Sequence, residues 1–153
     1  MIDIEKIRKD FGEDIIEVSE FHGEVTIVVN KDKNIEFLSY LRKEFSIDFL
    51  VDVTAVDWYP KKPRFEVVYS LYSLNLKERL RVKVPVDDGE RVNSVTQLWK
   101  GAGWLEREVY DMFGIEFEGH PDLRRILLWD DFPGHPLRKD FPLRADVELP
   151  GPY

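Results

Sequence analysis

Two histidines in the last quarter of the chain are the side chains best suited to bind a metal ion. His120 and His135 each stand in the tripeptide Gly-His-Pro, and carboxylates follow at Asp122, Asp130 and Asp131. Histidine and carboxylate together are ligands for zinc or iron. The spacing matches no compact metal motif such as His-Glu-x-x-His, so histidines hydrogen-bonded within turns are the alternative. A small metal-dependent enzyme using His120 and His135 is one hypothesis for the function.

A second group of ionisable side chains lies within residues 104–113. Glu106, Glu108 and Asp111 could act as general acid and base if they bordered a cleft. Arg107 and Asp111 are four residues apart, however, and an ion pair along one face of a helix explains them without catalysis. We therefore expect an Arg107–Asp111 pair and no catalytic role for this group.

The sequence lacks the motifs by which many proteins hold a cofactor. It contains no cysteine, which excludes disulfides, thiolate zinc sites and cysteine-ligated iron–sulfur clusters. It also contains no Gly-x-Gly-x-x-Gly loop, no Gly-x-x-x-x-Gly-Lys-Ser/Thr loop and no Gly-x-Ser-x-Gly elbow. We expect the chain to bind no cofactor of its own.

The segment from residue 119 onward is rich in proline, arginine and aromatic side chains. Six of the nine prolines lie at or beyond Pro121, which favours an extended ribbon over a strand within a sheet. Arginine beside aromatic and aliphatic anchors is typical of interface cores. We therefore predict that residues 119–153 dock on a partner, the alternative being that they pack on their own domain. The predicted contact residues are His120, Arg124, Arg125, Trp129, Phe132, His135, Arg138, Lys139, Asp140 and Phe141.

A folded body, placed at residues 1–118, must position this segment. The apolar side chains of residues 104–113 share one helical face, and Gly114 follows where a left-handed glycine ends a helix. A short helix is also predicted from Ser94 through Trp99, with a break at residues 101–103.

Upstream of these helices the hydrophobic period changes several times. Helices are predicted at residues 4–11 and 31–45, and strands at residues 15–21, 24–30, 49–58, 64–73 and 76–84. Strands that follow one another indicate an α+β fold with a mainly antiparallel sheet, flanking helices and an extended C-terminal ribbon. The last of these strands alternates apolar and basic residues, so its basic row is either solvated or a contact surface.

Two aspartates interrupt the predicted strand at residues 49–58. Asp52 and Asp57 are five residues apart and therefore lie on opposite faces of an unbroken strand. We expect one of them to accept hydrogen bonds from loop amides or to pair with an arginine.

Composition limits the classes of partner. At 153 residues the chain is predicted to form one domain, and its net charge of −8 disfavours a nucleic-acid surface. No apolar run approaches the roughly 20 residues of a membrane span, and the N-terminus lacks a signal-peptide core. We expect a soluble, cytoplasmic protein, unless a partner holds it at a membrane.

Four stretches together resemble one family. They are DVTAVDW at residues 52–58, EREVYDMFGI at 106–115, GHPDLRRIL at 119–127 and GHPLRKDFPL at 134–143. They resemble the signature of the C subunit, also called the 30-kilodalton subunit, of respiratory complex I, an NADH-quinone oxidoreductase. The signature positions are Glu106, Arg107, Glu108, Asp111 and Gly114.

The resemblance implies an α+β domain without a redox centre, in the peripheral arm of the complex. There it would lie against the quinone-site large subunit and near the iron–sulfur subunits, on the cytoplasmic side of the membrane. NADH, FMN, iron–sulfur clusters and quinone would belong to the complex, which couples electron transfer to proton translocation. Related subunits also serve membrane-bound hydrogenases and ferredoxin-linked complexes, so electron donor and acceptor stay open.

Overall fold

The computed structural model describes residues 1–143 and contains three helices and seven strands in that range. Residues 144–153, which complete the predicted docking segment, lie outside the described residues. The helices are α1 (Ile4–Phe11), α2 (Asn34–Glu44) and α3 (Ala102–Phe113), with a short 3-10 turn (Lys31–Lys33) before α2. The strands are β1 (Ile15–Phe21), β2 (Glu24–Val29), β3 (Phe49–Asp57), β4 (Phe65–Ser73), β5 (Glu78–Val86), β6 (Arg91–Asn93) and β7 (Glu116–Glu118).

Five of the strands form one mixed sheet in the order β1-β2-β5-β4-β3. Neighbouring strands are antiparallel except β2 and β5, which are parallel. The long connection between these two includes α2, which agrees with the rule that parallel neighbours need a crossover. The short strands β6 and β7 pair separately and in parallel. The predicted α+β fold with a mainly antiparallel sheet is confirmed.

The hydrophobic core fills the space between one face of this sheet and the helices. Phe37, Leu38 and Leu41 of α2 are fully buried there, so the predicted apolar face of that helix is confirmed. On β5 the apolar residues Leu80, Val82 and Val84 point into the core. The other face of the sheet is the more exposed one, because alternate side chains of a strand point to opposite faces.

The predicted basic row of β5 lies on this second face. Arg81 pairs there with Glu24 at 2.9 Å, and Lys83 pairs with Glu66 at 2.9 Å. Side chains on neighbouring strands thus neutralise two of the three basic residues.

The predicted helix from Ser94 through Trp99 is wrong, because this stretch forms turns. The groups that would begin such a helix are used elsewhere: the Ser94 hydroxyl and the Val95 amide both donate to Glu106 of α3. The predicted break before α3 is also shorter than expected, since α3 already begins at Ala102.

Residues 119–143 contain no helix or strand and form successive turns that lie against the body. In the described part of the chain, no helix combines the length and the apolar character that a bilayer crossing requires.

Replacing Phe37 should show how much the core depends on α2. The Phe37 ring is fully buried and packs edge-on against Phe11, with ring centroids 5.2 Å apart. We expect Phe37→Ala to lower the free energy of unfolding in urea by about 3–5 kcal/mol, since it leaves a cavity. The control Phe21→Ala removes a ring that is 76% exposed. A loss of similar size in the control would contradict the assignment of the core.

Candidate functional site

Residues 119–143, here called the C-terminal segment, are fastened to the body at three places. Each place is built on a carboxylate of the body that is almost completely buried: Asp111 in α3, Asp57 at the end of β3, and Glu106 in α3. A buried carboxylate is costly unless it is paired and hydrogen-bonded, so its partners identify what each contact contributes.

Asp111 accepts four hydrogen bonds from the C-terminal segment. Its Oδ2 accepts the amides of residues 126, 127 and 128 at 3.1, 2.8 and 3.0 Å, and its Oδ1 accepts Arg125 at 2.8 Å. Burial by itself raises the pKa of Asp111, but the Arg125 guanidinium and the three amides outweigh it, so that pKa lies below its usual range. Asp111 is therefore an ionised acceptor around which the chain turns.

Arg125 extends this contact to the next turn of the segment. Besides pairing with Asp111, it donates through Nη2 to the carbonyl oxygens of Phe132 at 2.9 Å and Gly134 at 2.8 Å. One guanidinium thus joins the helix to two points of the segment, using the fork of donors that lysine lacks.

The predicted ion pair between Arg107 and Asp111 is wrong. Arg107 donates instead to the carbonyl oxygens of Arg124 at 3.0 Å and Arg125 at 2.8 Å. Asp111 pairs with Arg125, because the returning segment offers it a cation and free amides within a buried site.

Gly114 lets the segment approach the end of α3. It has a φ of +77°, which confirms the predicted left-handed residue at the helix end. A Cβ at this position would also lie only 2.6 Å from the ring of His135. That ring is fixed by its Nδ1, 2.9 Å from the carbonyl oxygen of Asp111. Glycine is therefore required for two reasons, conformation and close contact.

At the second place, Arg64 joins carboxylates from three parts of the chain. It forms two hydrogen bonds with Asp57, at 2.9 and 3.0 Å. It also donates to Asp140 of the C-terminal segment at 2.7 Å and to Asp88, after β5, at 3.3 Å. The end of the sheet is thereby tied to the segment through one guanidinium.

Asp57 confirms the expectation that one aspartate of β3 meets loop amides or an arginine, since it does both. Besides Arg64 it accepts the amides of Tyr59 at 2.9 Å and Lys139 at 2.8 Å. Burial by itself raises the pKa of Asp57, but these donors lower it to about 2. Asp52 lies on the opposite strand face, as predicted.

Arg138 completes this second group. It donates to Asp88 and to the carbonyl oxygen of Phe113 at 3.2 Å, and its guanidinium lies 5.2 Å from the centre of the Phe65 ring. The guanidinium of Arg64 lies 4.9 Å from the same ring. Two arginines thus contact one buried aromatic ring, an arrangement that favours cations.

At the third place, Glu106 connects α3 to the turns that precede it, and its Oε2 lies 3.9 Å from Nε2 of His120 in the C-terminal segment. Its two carboxyl oxygens accept the Ser94 hydroxyl and the Val95 amide, each at 2.7 Å. Burial raises the pKa of Glu106, and these two hydrogen bonds oppose that rise only in part. The side chain is fully enclosed, which gives it a structural position and no access to a substrate.

The two histidines lie near opposite ends of α3 and form no common site. His120 contacts the carbonyl oxygen of Gly103 through Nε2 at 2.9 Å and accepts the Asp122 amide at Nδ1. His135 contacts Asp111, about 12 Å farther along the helix at 1.5 Å per residue. No three His, Cys, Asp or Glu side chains in the described chain are placed to hold a metal ion. Residues 1–143 therefore offer the metal-enzyme hypothesis no site.

The ten residues predicted to contact a partner divide into two sets. Five have polar contacts to their own body: His120, Arg125, His135, Arg138 and Asp140. The side chains of the other five lie at the surface, half-buried or exposed: Arg124, Trp129, Phe132, Lys139 and Phe141.

The three aromatic residues of the second set form what we call the aromatic row. The ring centroids of Trp129 and Phe132 are 5.0 Å apart, and those of Phe132 and Phe141 are 5.9 Å apart and stacked. The guanidinium of Arg125 lies 5.7 Å from the centre of the Phe132 ring, so a cation accompanies the row. Half-buried aromatic side chains with cations nearby resemble the anchors of protein interfaces.

Sequence reasoning did not find Arg64, Asp88 or Ser94 as parts of these contacts. Arg64 bonds to carboxylates 7, 24 and 76 residues away in the sequence. The spacing of neighbouring residues cannot predict contacts over such separations. The proximity of Arg64 to Asp57 across the loop between β3 and β4 was the one available signal.

Removing the charge of Asp111 should destabilise the whole chain. We expect Asp111→Asn to lower the free energy of unfolding by about 3–5 kcal/mol, because Arg125 then loses its buried partner. The control Asp122→Asn breaks an exposed pair with Arg124 and should cost at most about 1 kcal/mol. Urea unfolding of the two variants gives both values. Equal losses would contradict the role of Asp111.

Because of the Asp57 contact, the free energy of unfolding should depend on pH in the acid range. Its pKa in the folded chain lies below that of an unfolded carboxyl, so its stabilisation is complete above about pH 4 and is lost as pH falls towards about 2. The free energy of unfolding of the wild type should fall between about pH 6 and pH 2.5. In Asp57→Asn this fall should be smaller by about 2 kcal/mol. Asp52→Asn is the control. An unchanged pH dependence in Asp57→Asn would refute the assignment.

Comparisons with known proteins agree with the four sequence stretches. The chain matches the family described as respiratory-chain NADH dehydrogenase, 30 Kd subunit, over residues 27–147. It is 51% identical over 146 residues to the C subunit of the NADH-quinone oxidoreductase of Geotalea uraniireducens, and the match covers 95% of this chain and 89% of that protein. The C 2 subunit of the NADH-quinone oxidoreductase of Rhizobium meliloti is 45% identical, with 94% and 80% covered.

A solved structure extends the comparison to the fold. A chain of the membrane-bound sulfane sulfur reductase, an archaeal respiratory membrane complex, superposes with a TM-score of 0.74 at 30% identity. The match covers 92% of this chain and 85% of that one. Sequence and fold agree, and this chain belongs to the family of respiratory-chain NADH dehydrogenase 30 Kd subunits.

Proposed function

We propose that this chain is a non-catalytic peripheral subunit of a complex I-type NADH:quinone oxidoreductase and supports its quinone-site large subunit. The complex would pass electrons from NADH through FMN and iron–sulfur clusters to quinone and translocate protons. Relatives at about half identity that are named as C subunits of NADH-quinone oxidoreductases support this assignment. The chain has no cysteine with which to ligate an iron–sulfur cluster, which agrees with a structural role.

One observation carries the proposal: the C-terminal segment is ordered by buried carboxylates, yet its aromatic row lies at the surface. Asp111 and Asp57 hold the backbone of the segment, so little conformational entropy is lost when a partner contacts the row. We propose that residues 1–118 form the body and that residues 119–145 clamp the large subunit.

The charges of the segment complement this role. Lys139 is exposed and Arg124 forms only an exposed pair with Asp122, so both can pair with carboxylates of the large subunit or of the iron–sulfur subunits. A net charge of −8 does not favour direct binding to an anionic membrane surface. We propose that the chain reaches the cytoplasmic side of the membrane only through these partners.

We propose NADH as the electron donor and quinone as the electron acceptor because of the sequence identity between this chain and its relatives. The archaeal sulfane sulfur reductase chain shares the fold at 30% identity, whereas the NADH-quinone oxidoreductase relatives reach 51%. NADH and quinone are therefore favoured over the electron carriers of related complexes.

The aromatic row can be tested in the assembled complex. We expect Trp129→Ala to reduce the amount of this chain retained in the purified complex by about tenfold or more, since aromatic anchors contribute about 2 kcal/mol or more to binding. Quantitative mass spectrometry of the complex measures the retained amount. The control is Phe21→Ala, an exposed ring on the hairpin between β1 and β2.

Two companion measurements decide how the result is interpreted. The melting temperature of the isolated Trp129→Ala chain should stay close to that of the wild type. A large drop would assign the row to the chain's own core and contradict the proposal. Oxidation of NADH by quinone in the presence of the isolated wild-type chain alone would contradict its non-catalytic role.

A further inference from the structure

We propose that the free edge of β3, with two clefts that meet at Phe49, binds an extended segment of a second polypeptide as an added strand. The bound segment carries apolar side chains next to carboxylates. This inference relies on the proposed function only in that the chain works within an assembly. It concerns a surface that the C-terminal segment does not use.

The outer edge of β3 has no strand partner among the described residues, although α3 packs closely against this strand. β3 ends the order of the five-stranded sheet and pairs on one side only, with β4. Among residues 1–143, no backbone group of residues 49–56 has a hydrogen bond outside that pairing. An unpaired edge is a template for an added strand unless charge or cover protects it.

The first residues of this edge are apolar and exposed. Phe49 and Val51 are each 52% exposed, and a bulge between Leu50 and Asp52 turns Val51 outward. At the other edge of the sheet, β1 presents the exposed acids Glu17 and Glu20, although it also exposes the apolar side chains of Ile16 and Phe21. Charged side chains protect an edge against pairing, and residues 49–51 of β3 include none, which favours β3 as the edge that a partner covers.

Phe49 lines a cleft on each face of the sheet. The open-face cleft, on the more exposed face, has a volume of about 350 Å³ and includes Val51 and Tyr72. The helix-side cleft, beside α3, has a volume of about 520 Å³ and includes Leu98 and Leu105. Successive side chains of a strand point to opposite faces, so an added strand places neighbouring residues in the two clefts.

The open-face cleft carries an excess of positive charge. Arg79 and Arg81 share the single carboxylate of Glu24, at 3.7 and 2.9 Å. The side chain of Arg79 remains 75% exposed. This cleft therefore has one cation that a carboxylate of the added strand can neutralise.

The helix-side cleft also carries an excess of positive charge. Arg42 and Lys100 line it with one acid, Asp48. Among residues 1–143 neither cation has a carboxylate partner, and Arg42 donates to the carbonyl oxygen of Leu98. Both clefts thus combine an apolar wall with two cations and one carboxylate, in a chain whose net charge is −8. An alternating apolar and acidic segment complements both at once.

This surface lies far from the C-terminal segment. The segment is fastened near Asp57 at the last residue of β3, whereas Phe49 is the first of its nine residues. That strand length spans about 26 Å at 3.3 Å per residue. With a partner at each end of β3, the chain becomes a bridge between two polypeptides.

Photo-cross-linking in the assembled complex tests the inference. Phe49→p-benzoylphenylalanine in the full chain should cross-link, on irradiation of the purified complex, to a different polypeptide, at an acidic and apolar stretch identified by mass spectrometry. The control position is Ile16 on β1, which is 57% exposed. A yield at position 49 no higher than at Ile16, or a cross-link to a second copy of this chain or to lipid, overturns the inference.

A charge reversal gives an independent check. Lys100→Glu should lower the cross-link yield from position 49 by about fivefold or more, whereas Lys9→Glu, exposed on α1, should not change it. Equal yields in both variants count against the acidic partner segment. Absence of the wild-type chain from the purified complex overturns both proposals, whereas a retained chain without a cross-link at position 49 overturns this one alone.

Discussion

The buried carboxylate of Asp111 holds together a segment that could not form regular structure by itself. The segment from residue 119 is rich in proline, and its amides at residues 126–128 belong to no helix or strand. Backbone amides outside helices and strands still need acceptors, and one ionised side chain of α3 accepts all three. The same carboxylate is stable inside the protein only because Arg125 and these amides reach it. Segment and helix therefore depend on each other.

Two further carboxylates of the body, Asp57 and Glu106, also lie against the segment. Asp57 meets Arg64 and a backbone amide of the segment, and Glu106 connects α3 to the turns before it. Because Arg125, Arg138 and Asp140 of the segment already form internal contacts, we propose that its aromatic row mainly recognises the partner. A surface ordered in advance is what a subunit needs if it binds others without chemistry of its own.

The five-stranded sheet separates two surfaces, one at each end of β3. Its helix-covered face provides the core, while the two ends of β3 carry different chemistry: buried ion pairs at Asp57 and exposed apolar edge residues at Phe49. Rigid strands keep such surfaces at a constant separation. A fold of this kind is suited to hold neighbours in register within a larger assembly, which agrees with the family to which the chain belongs.

The amino-acid sequence by itself determined the elements and the family. The spacing of hydrophobic residues located α2 and the five strands of the large sheet, but not β6 or β7. Gly114 marked the end of α3, and the four signature stretches identified the relatives. Only the tertiary structure decided where buried charges find partners: Arg125 rather than Arg107 pairs with Asp111, and Ser94 serves α3 instead of starting a helix. The periodicity of hydrophobic residues predicts which face of a helix or strand is buried. The partner of a buried charge is set by desolvation among residues distant in the chain, which no local pattern contains.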